Sequence, residues 1–172
     1  MKAKIPIIEL AILLALSASA GTAFAQQAIS DEELLVDAGP DTLQQVIDSY
    51  QGEKAVIVNV WATWCAPCIE EFPHLVDIQR KYADQVQVIF VSADFPDVRG
   101  RALDFLRRQG VDWTTYFKQG GDQAFIESLS SDWSGALPFS KVYDTSGSVV
   151  ASWQAKTSFE TFEKYVKQAI NP

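Results

Sequence analysis

Two nearly unbroken apolar runs lie in the middle of the chain. The first, residues 55–61, reads Ala-Val-Ile-Val-Asn-Val-Trp, and the second, residues 86–92, reads Val-Gln-Val-Ile-Phe-Val-Ser. Such runs predict strands buried on both faces, in the middle of a sheet covered by helices. Residues 67–82 predict a helix between them, with a kink at Pro73 because proline cannot donate a backbone hydrogen bond. The order indicates a βαβ unit with parallel strands and a right-handed crossover.

Weaker patterns on either side of this unit predict shorter elements. Residues 26–40 are polar and end in Gly-Pro, so we expect an irregular lead-in before a short helix capped by Asp41. Helical spacing resumes at Val98 and ends at Gly110, a residue that commonly terminates helices. Further elements are predicted as a strand over 113–117, a helix over 123–129, a hairpin with strands at 141–144 and 149–153, and a helix from Ser158 to Ile170. The order indicates one α/β domain without internal repeats.

The first 25 residues are typical of a secretory signal peptide. Lys2 and Lys4 form a short positive region, an apolar stretch follows over 10–20, and Ala23-Phe24-Ala25 provides a small-x-small cleavage pattern. We therefore expect cleavage after Ala25 and a domain over 26–172 that works outside the cytoplasm. The alternative is an uncleaved membrane anchor, although the apolar part is shorter than the roughly 20 residues of a spanning helix.

Composition and charge exclude several classes of function. The 172-residue chain carries 14 Lys+Arg against 22 Asp+Glu, a net charge of −8. Nucleic acids and anionic membranes bind basic surfaces, so neither is an expected partner. Two cysteines are too few for a disulfide framework, and the single histidine excludes a His-based metal site.

The two cysteines lie where the first buried strand gives way to a helix, in the sequence Trp64-Cys65-Ala66-Pro67-Cys68. The unpaired N–H groups and positive dipole end of a helix favour a thiolate, which is the nucleophile in disulfide exchange. This position predicts that Cys65 is the attacking residue and the more exposed thiol. Cys68 lies one turn further on and can resolve a mixed disulfide by bonding to Cys65.

A purely structural or metal-binding role for the cysteine pair is less well supported. Two structural cysteines would usually be scattered and buried, and a zinc site needs four ligands. The chain has no third cysteine, and His74 lies six residues beyond Cys68, pointing away from the thiols on a helix. We therefore predict a redox-active pair and expect neither a metal nor a cofactor.

The segment from Asn59 to Pro73, Asn-Val-Trp-Ala-Thr-Trp-Cys-Ala-Pro-Cys-Ile-Glu-Glu-Phe-Pro, resembles the active-site segment of thioredoxin-like proteins. It is most similar to the extracytoplasmic group that includes TlpA, ResA and CcmG, with Val60 where that group more often has Phe. The resemblance is close over about fifteen positions and implies a thioredoxin-like α/β fold, a mixed central sheet with helices on both faces.

The resemblance also implies functions for residues outside the cysteine pair. It places a cis-proline at Pro138, so that Trp64, Leu137 and Pro138 contact the substrate. It places an acid at Glu71, which we expect to accept the proton of Cys68. Ordinary thioredoxins have a buried Asp where this chain has the non-titrating Asn59.

The predicted function is a periplasmic reductant of protein disulfides. Ala66-Pro67 provides no cation to stabilise a thiolate, which favours an electron donor over an oxidant. Members of the resembling group reduce disulfides in apocytochrome c or copper-site proteins and receive electrons from a membrane thiol transporter. We expect the same classes of partner and a monomeric protein. The alternatives are a disulfide oxidase or isomerase of the same fold, a peroxiredoxin-like peroxidase and a copper metallochaperone. A peroxidase of that kind would need a Thr-x-x-Cys site, which the sequence lacks.

Overall fold

The computed structural model describes residues 29–171, so the expected signal peptide over 1–25 lies outside the described residues. The elements in chain order are Asp31–Leu34 (α1), Leu35–Ala38 (β1), Pro40–Asp48 (α2), Ala55–Trp61 (β2), Ala66–Lys81 (α3), Val86–Ser92 (β3), Arg99–Arg108 (α4), Thr115–Lys118 (β4), Asp122–Leu129 (α5), Phe139–Tyr143 (β5), Val149–Trp153 (β6) and Phe159–Ala169 (α6). A short 3₁₀ turn, Pro96–Val98, precedes α4.

The strands form one mixed sheet of six strands in the order β1-β4-β3-β2-β5-β6. The pairs β1–β4, β4–β3 and β3–β2 are parallel, whereas β5 is antiparallel to both β2 and β6. Strand β2 is central, and its carboxyl end leads directly into the loop that carries the cysteines. The carboxyl ends of the parallel strands meet at the same edge of the sheet.

Helices cover both faces of the sheet, as the fold class predicted. On one face, Phe72 of α3 and Phe162 of α6 belong to one apolar cluster with Ile57 of β2. On the other face, Ile47 of α2 packs in a second cluster with Val58 of β2. Consecutive residues of β2 therefore enter opposite cores, which explains why this strand has no polar alternation.

The amino-terminal prediction was wrong in two respects. Residues 31–38 form α1 and β1 rather than an irregular lead-in, because Leu34, Leu35 and Ala38 are buried and β1 pairs in parallel with β4. Helix α2 begins at Pro40 with Gly39 as its N-cap, so Asp41 lies in the first turn instead of capping the helix.

The remaining elements agree with the pattern to within about two residues. Helix α4 ends two residues before Gly110, whose φ of 71° lies in the left-handed region that glycine adopts without strain. Helix α3 continues through Pro73, and Ser158 caps α6 by accepting a hydrogen bond from the backbone N–H of Thr161. Within residues 29–171, no helix is both long and apolar enough to cross a membrane.

Candidate active site

The cysteine pair lies where the chain passes from the central strand into α3. Strand β2 ends at Trp61, and Cys65 is the N-cap of α3, with extended backbone angles. The backbone N–H of Cys68 donates a hydrogen bond to the Cys65 sulfur over 3.3 Å. One of the unpaired N–H groups of the helix start is thus directed at this sulfur, as expected for an atom that carries negative charge in its reactive state.

Cys65 and Cys68 are joined in a disulfide bond. Both are largely buried in this oxidised state, with 5% of Cys65 and 1% of Cys68 exposed. The neighbouring Trp64 is 60% exposed and lies beside the pair on the surface. Cys65 is therefore the slightly more exposed residue of the pair.

Glu71 lies on α3 one turn beyond Cys68 and is completely buried. Its carboxylate accepts a 2.9 Å hydrogen bond from the side-chain amide of Asn59 and a 2.8 Å bond from the backbone N–H of Thr157. Loss of water on burial raises the pKa of Glu71 from 4.5 to about 7, and the two hydrogen bonds and the charge of Lys156 oppose this rise. A carboxyl group with this pKa changes protonation near neutral pH.

Asn59 connects Glu71 to the strand on the other side of β2. Its amide donates a second hydrogen bond, over 3.0 Å, to the hydroxyl of Ser140 in β5. Asn59 and Ser140 are also paired in the antiparallel register of the two strands. The acid on α3 thus belongs to one buried polar network with residues from β2, β5 and the loop before α6.

Pro138 immediately precedes β5, and the Leu137–Pro138 peptide bond is cis. The register pairs Val60 with Phe139, so Pro138 lies next to the end of β2 that leads to the cysteines. Leu137 is partly buried and lines a hollow of about 320 Å³ together with Trp64. The three residues expected to contact substrate therefore lie at the end of the sheet where β2 leads into the cysteine pair.

A second buried carboxylate, which no motif in the sequence singles out, holds the loop before the cysteines. Asp94, which follows β3, accepts hydrogen bonds from the backbone N–H of Thr63 over 3.0 Å and from the Thr63 hydroxyl over 2.6 Å. It also accepts a 2.9 Å bond from the hydroxyl of Ser92. The one signal in the sequence is its position directly after a buried strand whose carboxyl end neighbours that of β2.

Comparison with known proteins defines the class of protein. A solved thiol:disulfide interchange protein of the thioredoxin family from Chlorobium tepidum has a TM-score of 0.61 at 26% identity, covering 72% of this chain and 83% of that one. ResA, a thiol-disulfide oxidoreductase from Bacillus cereus, is 26% identical over 178 residues and 98% of both chains. With its CxxC disulfide, this protein is a thiol–disulfide oxidoreductase of the thioredoxin fold.

The family assignment is more specific. The redoxin family matches residues 18–167, and the chain belongs to that family. The thiol:disulfide interchange protein HelX from Rhodobacter capsulatus is also similar, at 32% identity over 99 residues, which cover 56% of this chain and 50% of HelX. These relatives support the resemblance to the ResA and CcmG group that the active-site segment indicated.

Proposed function

We propose that this protein reduces disulfide bonds in other proteins outside the cytoplasm, with Cys65 as nucleophile, Cys68 as resolving thiol and Glu71 as proton acceptor. The observation that carries the proposal is the position of Cys65 at the start of α3, where its sulfur accepts a backbone N–H and forms the disulfide with Cys68. This arrangement suits a thiolate in the reduced protein.

The reaction transfers two electrons in two exchanges. The Cys65 thiolate attacks one sulfur of the substrate disulfide, and the substrate S–S bond breaks as a mixed disulfide forms; the released substrate thiolate takes up a proton. Cys68 then loses its proton and attacks the Cys65 sulfur, which forms the Cys65–Cys68 disulfide and releases the second substrate thiolate. A dithiol donor, for which a membrane thiol transporter is the proposed source, returns two electrons and two protons.

Glu71 is suited to accept the proton that Cys68 loses in the second exchange. Cys68 is buried and must lose a proton to become nucleophilic, and the buried Glu71 lies one helical turn away. Its pKa of about 7 lets the carboxyl group accept a proton in one step and release it in another near neutral pH. Substrate would lie along Trp64, Leu137 and Pro138, and an extended segment could pair with the Leu137 backbone as an added strand.

The composition of the active-site loop supports this direction of electron transfer. Residues 61–68 contain no charged side chain. A cation next to Cys65 would stabilise the thiolate and thus the reduced protein, which is the property of an oxidant. Without a cation within this loop, and with the Glu71 carboxylate one turn beyond Cys68, the reduced state is less favoured and the protein is the better electron donor.

The location and physiological substrates rest on the sequence. Removal of residues 1–25 as a signal peptide would release the domain over 26–172 into the periplasm. The relatives support thiol–disulfide exchange as the activity. Apocytochrome c and copper-site proteins are proposed as substrates because the segment from Asn59 to Pro73 resembles the group whose members reduce them.

The reduction potential of the pair tests the direction. Equilibration of the Cys65–Cys68 disulfide with dithiothreitol or glutathione buffers should give a value near the roughly −270 mV of thioredoxin. A potential above about −180 mV, the level of an isomerase, would instead assign the protein to the oxidants. Reduction of a protein disulfide by the reduced wild type, but not by a Cys65→Ser variant, would test the nucleophile in the same preparation.

A further inference from the structure

A hollow of about 650 Å³ opens beside the cysteine pair on the side of α4, and the proposed mechanism uses none of its charges. We call it the α4 hollow and define it by six of its lining residues: Trp64, Ile69, Phe95, Arg101, Phe105 and Arg108. Ile69 and Phe105 give it an apolar floor, since both belong to or pack on the core cluster of this face of the sheet. A segment in this hollow would contact Trp64, the residue that directly precedes Cys65.

The rim of the α4 hollow exposes two aromatic side chains. Trp64 is 60% and Phe95 is 67% exposed, and only one other large hydrophobic side chain of residues 29–171, Val149, is comparably exposed. Trp, Phe and Arg are enriched in protein interfaces, and Trp and Arg also in their binding hot spots. This composition indicates a surface that is covered when a protein partner docks.

The charge of the α4 hollow is opposite to that of the chain. The chain has a net charge of −8, yet four of its five arginines lie on α4. Arg99 and Arg107 pair with acidic residues elsewhere in the fold. Within the part of the chain that the structure describes, Arg101 and Arg108 form no salt bridge.

Arg101 and Arg108 are seven residues apart and lie on the same side of α4, where both line the hollow. Asp104 also lines it, which gives two cations against one anion. An arginine side chain presents a planar fork of N–H donors that matches a carboxylate. Covering these arginines with a neutral or basic segment would desolvate them without compensation.

We propose that the α4 hollow docks the residues flanking the target disulfide of an acidic protein substrate, with an apolar or aromatic side chain on the floor and carboxylates on Arg101 and Arg108. This inference rests on the proposed function, because it names the class of substrate for the same cysteine pair. The inference also assigns a function in substrate docking to part of the segment between β3 and β5, because Phe95 and both arginines belong to it.

Three synthetic peptides with the same internal disulfide provide the test. They differ only in the flanking residues, which are Glu with Phe, Gln with Phe, or Lys with Phe. The reduced wild type should reduce the acidic peptide with the highest kcat/KM and the basic peptide with the lowest. The Arg101→Gln/Arg108→Gln variant should reduce the acidic peptide about fivefold more slowly, as expected for the loss of two exposed charge contacts, and the basic peptide faster. The preference of the wild type for the acidic over the basic peptide should decrease at high salt, because salt screens exposed charges.

A matched variant controls for loss of positive charge elsewhere. Lys164→Gln/Lys167→Gln removes two exposed cations from α6 and should leave all three rates unchanged. Circular dichroism and the thermal midpoint check that the arginine variant is folded. Equal reduction of the three peptides, a preference for the basic peptide, or an acidic preference that survives in the arginine variant would each overturn the docking inference.

A binding measurement separates this inference from the proposed function. Calorimetric titration of the Cys65→Ala/Cys68→Ala variant with the acidic peptide reports docking without thiol–disulfide exchange. Binding of the acidic peptide that depends on Arg101 and Arg108, together with failure of the wild type to reduce any peptide, would retain the docking surface and reject the reductase. Reduction of all three peptides without selective binding of the acidic peptide would retain the reductase and reject the docking surface.

Discussion

Replacing Glu71 by Gln should remove a pH dependence of stability that the wild-type protein shows between about pH 4.5 and 7. The pKa of Glu71 rises from 4.5 in the unfolded chain to about 7 in the fold, chiefly because burial removes water from the carboxylate. Folding therefore favours the protonated acid. Its contribution to stability is fully present below the unfolded pKa and is lost as the pH rises through the folded pKa.

The size of this effect follows from the shift. A difference of one pKa unit corresponds to about 1.4 kcal/mol, so a rise from 4.5 to about 7 corresponds to about 3 kcal/mol. The free energy of unfolding of the wild type should fall by this amount, relative to Glu71→Gln, between pH 4 and pH 8. Gln has one acceptor oxygen for the two N–H groups of Asn59 and Thr157. The free energy of unfolding of the variant should therefore also be lower by about 1–3 kcal/mol at every pH.

Urea unfolding of the oxidised protein across this pH range measures the effect. With the disulfide intact, Cys65 and Cys68 do not titrate, so the comparison isolates the carboxyl group. Glu70→Gln is the matched control, because Glu70 is the exposed neighbour that pairs with Lys156; its unfolding curve should run parallel to that of the wild type. Parallel curves for Glu71→Gln would refute the reasoning and make Glu71 an ordinary structural carboxylate.

Three further predictions concern the surroundings of the pair. Alkylation of the reduced protein should label Cys65 before the other cysteine, and mass spectrometry of the first adduct would show the opposite order if the assignment is wrong. Asn59→Ala should raise the pKa of Glu71 further, because it removes a hydrogen bond that favours the carboxylate; the control Ser140→Ala keeps that bond, and an equal shift in both variants would contradict this reason. Asp94→Ala should lower the free energy of unfolding by about 2–3 kcal/mol, since several donors lose their acceptor, and an unchanged urea midpoint would contradict this cost.

The central strands could be predicted from sequence because their signal is local. Residues 55–61 and 86–92 are apolar on both faces, and the structure places both strands within these same bounds. The CxxC pair was equally visible, since its position at the end of a strand already indicates the start of a helix. Strand β1 was missed because four residues carry little periodicity, and its burial depends on pairing with β4, about eighty residues away.

The polar contacts of the site could not be predicted because they also join residues far apart in the sequence. Glu71 was expected near the cysteines from its spacing, but its hydrogen bond to Thr157 joins residues 86 positions apart. Asp94 and Thr63 are 31 positions apart and meet only because β2 and β3 are parallel and end at the same edge. Such contacts depend on the topology of the sheet, which no short pattern contains.

The residue types at positions 59 and 71 depend on each other. The Asn59 amide has two hydrogens, and it donates one to Glu71 and one to Ser140. An Asp at position 59 could accept but not donate when ionised, and it would bring a second carboxylate next to Glu71 in a buried site, where two negative charges oppose each other. A neutral donor at position 59 is therefore more compatible with a buried acid at position 71 than a second carboxylate would be. The titrating group lies on α3 in this protein, one turn from Cys68, whereas the strand provides the amide that holds it in place.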